Sequence, residues 1–91
     1  MIVGKVVGNI VSTRKNEKLI GCKLMVIEPL SGMESAPGRM IAADNVGAGI
    51  GEMVLVATGS AARIGIDKES APIDAAIVGI VDSGTGLSGE F

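Results

Sequence analysis

Residues 2–13 read IVGKVVGNIVST, and the alternation within this stretch decides the fold class. In an extended strand successive side chains point to opposite faces, so one face would carry Ile2, Gly4, Val6, Gly8 and Ile10. Two glycines on that apolar face leave room for the strand to coil sharply, as a small barrel requires. The stretch therefore predicts a long strand in a closed or nearly closed sheet.

Four further strand-like runs follow, at residues 24–27, 39–43, 53–57 and 75–81, separated by turn residues. The helix signal begins at Ser60, a good N-cap residue, and is weakened at Gly65 after one or two turns. A helix this short cannot supply the crossover connections of a parallel sheet. We expect an all-β protein, a small five-stranded barrel with one short helical turn.

Three predicted strands stay apolar instead of alternating, at residues 24–27, 53–57 and 76–78. Strands do so when both of their faces are covered. Of the 91 residues, 47% are hydrophobic, which is more apolar surface than one small core can hide. No helix long enough to provide the cover is predicted. We therefore expect neighbouring subunits to cover part of the outer barrel surface.

The length fits one domain, with residues 1–83 as the barrel and residues 84–91 as a flexible C-terminal tail. A net charge of −2, from 8 basic and 10 acidic residues, produces no long-range field that would attract nucleic acid or an acidic membrane. The single cysteine, Cys22, cannot form an intrachain disulfide, and no secretion signal is recognisable. A cytoplasmic location is expected.

Few groups are available for catalysis or metal binding. The chain has no His, and Cys22 lacks the histidine that would normally activate it. No acidic cluster has the spacing of metal ligands, and Asp44, Asp74 and Asp82 sit at strand ends, where turn or cap roles are usual. We predict no enzymatic activity, no metal and no cofactor.

The alternative is a binding module of the OB type, a five-stranded barrel that binds single-stranded nucleic acid or another ligand. Binding of single strands relies on aromatic side chains on which bases stack. The only aromatic residue is Phe91, in the expected tail. Nucleic-acid binding is therefore disfavoured.

Two glycine-rich segments need interpretation. Residues 84–89 match G-x-G-x-x-G, but only two residues follow, too few for the helix whose N-terminus would face a pyrophosphate. Residues 47–51, GAGIG, lack the Lys-Ser/Thr of a P-loop. Their N–H groups could cradle an anion, but alternating glycines more often mark a tight turn or the close approach of another backbone.

Arg63 follows a turn of small residues, 59–62, that would let another chain approach closely. Two interpretations stay open at this point. Arg63 is a solvated surface residue, or its fixed fork of donors bridges carboxylates or carbonyls across an interface.

Taken in order, these segments resemble the EutN/CcmL vertex proteins of bacterial microcompartments, including the carboxysome. The most specific element is residues 43–52, ADNVGAGIGE, followed by GSAAR at residues 59–63. Shorter matching segments lie at residues 7–13, 21–24, 54–55 and 73–82. Met53 and Ala61 depart from the pattern, since many relatives have an aromatic residue and a second Ser there. Residues 29–39 and those after 83 lie outside the resemblance.

The resemblance implies an OB-like barrel that assembles as a cyclic homopentamer and occupies the five-fold vertices of a polyhedral shell. Hexameric shell proteins would be its neighbours, and the shell would lie in the cytoplasm. From the resemblance and the close-approach argument we assign a set of residues to the subunit interface or pore region. They are Asp44, Asn45, Val46, Gly47, Ala48, Gly49, Ile50, Gly51, Gly59, Ser60, Ala61, Ala62 and Arg63.

Overall fold

The computed structural model describes residues 1–12, 16–30, 38–65, 72–84 and 86. Its strands are β1 (Ile2–Ile10), β2 (Lys23–Pro29), β3 (Met40–Asp44), β4 (Met53–Thr58) and β5 (Ala75–Ile80). They form a closed barrel in the spatial order β1-β2-β3-β5-β4, in which β3 and β5 are parallel and the other pairs antiparallel. The five-stranded barrel predicted from the sequence is confirmed. The expected tail, apart from Gly84 and Gly86, lies outside the described residues.

Closure of the barrel depends on a glycine in β1, the strand that pairs with both β2 and β4. A Cβ atom on Gly4 would lie 2.6 Å from Cγ2 of Ile27 and 3.0 Å from the carbonyl oxygen of Glu28. No side chain fits in that space. At Gly8 the nearest atoms would lie 3.8 Å away, which is ordinary contact. Of the two glycines in the predicted strand, Gly4 is the one that the close approach requires.

A β-bulge in β1 changes which side chains face the core. The pairing register with β2 shifts between Val6 and Gly8. Val6 is completely buried, but Ile10 pairs with Leu24 and is 43% exposed. A bulge adds one residue to one strand, so the side chains beyond it change faces. The strict alternation expected from Ile2 to Ile10 is therefore wrong for the last part of the strand.

Two apolar clusters stabilise the fold. The barrel interior is filled by Val6, Met25, Ile27, Ala42, Ala48, Val54, Val56, Ala75 and Ile77. Alternation along β3 places Ala43 on the opposite side from Ala42. Ala43 belongs to a second cluster, outside the barrel, with Cys22, Ala62, Ile73 and Ala76.

The outer cluster is covered by short helical segments of the chain itself. The helix predicted at Ser60 is confirmed as α1 (Ser60–Gly65), which inserts the fully buried Ala62. A 3₁₀ turn, Glu17–Leu19, adds Leu19. Part of the outer cover therefore comes from α1, contrary to the expectation that no helix of the chain is long enough to provide it. Neither described helix has the length that a membrane crossing requires.

Candidate functional site

The glycine loop, residues 45–52, connects β3 to β4 and closes one end of the barrel. Its Ala48 is buried and belongs to the interior cluster. Two backbone hydrogen bonds fasten the loop to β1: the Gly51 N–H donates to the Val6 carbonyl at 2.7 Å, and the Val6 N–H donates to the Glu52 carbonyl at 2.9 Å. The loop is thus packed into the fold at its middle and paired with β1 at its end.

Asp44, the last residue of β3, holds the first half of the glycine loop. The residue is only 2% exposed. Oδ1 accepts a hydrogen bond from the Val46 N–H at 2.9 Å, and Oδ2 accepts one from the Ala48 N–H, also at 2.9 Å. A buried charge is tolerated when such bonds replace its water. The turn role expected for an aspartate at this strand end is confirmed.

Glu52 holds the second half of the loop. Its Oε1 accepts a hydrogen bond from the Gly49 N–H at 2.6 Å. A Cβ atom on Gly49 would lie 3.3 Å from that same oxygen, so a larger residue would crowd the contact. Gly47 and Gly51 have φ angles of +84° and +95°, a region that glycine adopts without steric cost. The spacing of acidic residues and glycines in residues 44–52 follows from this geometry.

The same geometry bears on the possibility that the loop binds an external anion. The N–H groups of Val46, Ala48 and Gly49 already donate to carboxylates of the chain, and that of Gly51 donates to β1. The carboxylates of Asp44 and Glu52 therefore already occupy the N–H groups that would bind an external anion. The tight-turn interpretation of this segment is the one that the contacts support.

The outer side of the glycine loop is apolar. Ile50 is 66% exposed, and Val46 is also exposed. Large aliphatic side chains in water add to the apolar surface that a second chain can bury. The loop thus has a fixed inner side and an exposed aliphatic outer side.

The second predicted segment, residues 59–63, lies at the other end of β4. At about 3.3 Å per residue, the six residues of β4 separate the two segments by about 20 Å. The structure therefore does not bring them together within one subunit. Gly59, with φ of +66°, donates its N–H to the Asp74 carbonyl at 2.8 Å, and α1 begins immediately after it.

Arg63 makes an intramolecular contact that the sequence did not reveal. Its Nη1 donates a hydrogen bond to the carbonyl oxygen of Ile73 at 3.0 Å, and the side chain is half-buried. A guanidinium carries five N–H donors, so this bond uses one of them. Arg63 is therefore anchored to its own subunit rather than freely solvated.

An aliphatic groove on the outer barrel surface was missed by the sequence argument. It has a volume of about 210 Å³ and is lined by Leu19, Leu24, Ile41, Ala43, Pro72, Ile73, Asp74 and Ala75. It lies over β2 and β3, between the β1–β2 and β4–β5 connections, where OB barrels bind their ligands. Leu24, from the non-alternating run at residues 24–27, contributes to this lining. This lining holds no aromatic ring on which a base could stack.

The described residues also contain no group of three or more His, Cys, Asp or Glu side chains that could hold a metal ion. Cys22 is a free, buried thiol in the outer cluster. The well-formed features of this subunit are thus a clamped loop, a helical turn and an aliphatic groove. Exposed aliphatic side chains lie on the loop, at Ile50, and on the helical turn, at Ile64.

Comparison with known proteins agrees with this picture. A family model described as ethanolamine utilisation protein EutN/carboxysome matches residues 1–82. The bacterial microcompartment shell vertex protein GrpN of Rhodospirillum rubrum is 49% identical, with 91% of this chain and 94% of that protein covered. The carboxysome shell vertex protein CcmL of Thermosynechococcus vestitus is 45% identical, with 91% and 85% covered.

Solved structures match equally well. The GrpN pentameric microcompartment shell protein from Rhodospirillum rubrum superposes with a TM-score of 0.77 at 47% identity, with 90% of this chain and 94% of that chain covered. CcmL of Nostoc sp. PCC 7120 gives a TM-score of 0.84 at 42% identity, with 96% and 95% covered. The similarity thus extends over nearly the full length of both chains in sequence and in fold, and the chain belongs to the EutN/CcmL family.

Proposed function

We propose that this chain is a structural subunit of a bacterial microcompartment shell, which assembles as a cyclic homopentamer and caps the five-fold vertices. The observation that carries the proposal is the full-length similarity to GrpN, whose structure is described as a pentameric microcompartment shell protein. The relatives of this chain are named shell vertex proteins, and none of these names describes an enzyme.

The role is geometric. Hexagonal tiles form a flat sheet, and a flat sheet closes into a polyhedron only when five-fold points are inserted. A pentamer supplies such a point, so this chain would control the closure of the shell and not the enclosed chemistry. Hexameric shell proteins are its proposed neighbours, and the shell is proposed to lie in the cytoplasm.

Cyclic symmetry makes each contact between subunits heterologous, so every subunit needs two different patches. Residues 44–51 and residues 59–63 are our candidates for those patches or for the pore region. Their separation of about 20 Å, estimated from the six residues of β4, supports two distinct surfaces. Asp44, Ala48 and Ala62 are buried within the subunit and would act by holding their segments in place. Residues 1–83 are the proposed barrel domain.

Native mass spectrometry of the purified protein tests the ring. We expect a pentamer at micromolar protomer concentration. A stable monomer, or a closed ring of another order, would contradict the proposal.

Deletion of the chain in its host tests the role. Electron microscopy should then show elongated or open shells, while the enclosed enzymes keep their activity after lysis. Restoring the chain should restore compact polyhedra. Normal closure without any pentameric protein, or loss of lysate activity, would require a different function.

A further inference from the structure

We infer that Asp44 and Glu52 are positioning residues that fix the glycine loop in the free subunit in the shape that ring assembly needs. The inference rests on the proposed function, because it assumes that the loop contacts a neighbouring subunit. It concerns two carboxylates that face their own loop and not the solvent-exposed surface that a neighbour would touch.

The glycine loop is held by side chains of its own chain. Asp44 and Glu52 flank it, and their oxygens accept three hydrogen bonds, from Val46, Ala48 and Gly49, at 2.9, 2.9 and 2.6 Å. Hydrogen bonds to an ionised carboxylate are about twice as strong as neutral ones. The two carboxylates therefore clamp the loop from both sides, independently of any neighbour.

The two carboxylates accept hydrogen bonds in different ways. Asp44 accepts with both oxygens and is nearly inaccessible to water. An asparagine would replace one oxygen with an NH₂ group, which cannot accept from a backbone N–H. Glu52 accepts this loop hydrogen bond with Oε1 and is only partly buried. A glutamine would retain that oxygen.

The clamp holds the part of the loop that carries exposed apolar side chains. The exposed side chains of Val46 and Ile50 lie on the segment that the two carboxylates hold. A loop that is ordered before binding does not lose conformational freedom on contact, and this preorganisation strengthens association. Loss of the clamp should therefore weaken the ring even where the barrel remains folded.

The experiment compares Asp44→Asn, Glu52→Ala and Glu52→Gln with the parent protein. Matched controls are Asp82→Asn and Glu28→Ala, since Asp82 and Glu28 are exposed and lie outside the loop. Three quantities are measured: far-UV circular dichroism, hydrogen exchange of the peptide that contains residues 45–52, and the protomer concentration at which half of the pentamer has dissociated.

We expect Asp44→Asn and Glu52→Ala to speed exchange in the loop. They should raise the half-dissociation concentration by about tenfold or more, because each loses at least one hydrogen bond to a charged group. Both controls should match the parent protein, and Glu52→Gln should lie much closer to the parent than Glu52→Ala does, because its neutral amide oxygen keeps the hydrogen bond in a weaker form. A ring that tolerates glutamine at position 52 but not asparagine at position 44 would indicate that one acceptor oxygen is required at position 52 and two at position 44.

Faster hydrogen exchange in the loop of the variants, with unchanged dissociation of the ring, would overturn the inference. If the parent protein is a pentamer in that experiment, the proposed function still stands. A parent protein that is not a ring would refute both. Equal behaviour of Asp44→Asn and the parent would refute the two-acceptor role of Asp44. If Asp44→Asn does not fold, the comparison of Glu52→Ala with Glu52→Gln decides the matter.

Discussion

The glycine loop and the turn at residues 59–63 lie at opposite ends of β4, and they are built in different ways. The loop contains the exposed Ile50, and the turn is followed directly by the exposed Ile64; their exposed fractions are 66% and 67%. The loop is held by carboxylates that accept hydrogen bonds from its backbone N–H groups. In contrast, α1 is held by Ala62, which packs into the outer cluster. Similar exposed surfaces are therefore supported by polar contacts at one end and by apolar packing at the other.

The largest effect should follow from removal of the polar support. Asp44→Ala is expected to lower the free energy of unfolding by about 3–6 kcal/mol, because two hydrogen bonds to a charged group, each worth about 1.5–3 kcal/mol, are lost. Denaturation in urea, followed by far-UV circular dichroism at fixed protomer concentration, measures the change. Asp82→Ala, at an exposed position, is the control. A loss no larger than that of the control would mean that the clamp does not stabilise the subunit.

Overpacking under α1 tests the apolar support. Ala62→Leu should lower the free energy of unfolding by about 1–3 kcal/mol, since the fully buried Ala62 leaves no room for a larger side chain. Lys18→Leu, at an exposed position outside the proposed interface, should change it by less than about 0.5 kcal/mol. Thermal and urea unfolding of the pair measure the contrast, and equal stability of the two variants would be the contrary result.

Backbone conformation sharpens the comparison within the glycine loop. Gly51→Ala should cost about 1–2 kcal/mol, because φ of +95° brings a Cβ atom into steric conflict with the backbone. Gly79→Ala is the matched control, since its Cβ atom would meet Leu55 at an ordinary 3.9 Å. The control should stay within about 0.5 kcal/mol of the parent protein. Tolerance of both changes would show that the loop readjusts freely.

The smallest effect on the subunit itself is expected at the other end of β4. Arg63→Ala loses the hydrogen bond to the Ile73 carbonyl, worth about 1 kcal/mol because the group is only half-buried. If the remaining donors of Arg63 also bind a neighbouring subunit, the variant should in addition lose about 1–3 kcal/mol of association free energy at each interface. Dilution followed by native mass spectrometry separates the two contributions, with Arg39→Ala as an exposed control. Unchanged ring dissociation would limit Arg63 to its role within the subunit.

Much of the fold could be predicted from the sequence because strand alternation and turn residues are local signals. The bulge between Val6 and Gly8 could not, since the residue types of β1 alternate straight through it and the register shift shows only in the pairing with β2. The apolar run at residues 24–27 indicated a covered outer face, but not that α1 provides part of the cover.

Part of the local conformation of the candidate segments could be predicted. A turn role for Asp44 and a tight turn at residues 47–51 follow from residue type and spacing. The acceptor role of Glu52 and the bond from Arg63 to Ile73 do not, because each depends on how a segment folds back in three dimensions. The groove is unpredictable for the same reason: its lining comes from four separate parts of the chain.

The position of β1 between β2 and β4 has a consequence for the folding kinetics. Ile2 pairs with Val56, so the first strand completes its hydrogen bonding only after more than half of the chain is available. Pairings between residues this far apart in sequence carry a large loop-closure entropy and slow the formation of the native state. During synthesis β1 would therefore wait with one edge unpaired until β4 emerges, and that interval is when the chain is most exposed to pairing with a strand of another molecule.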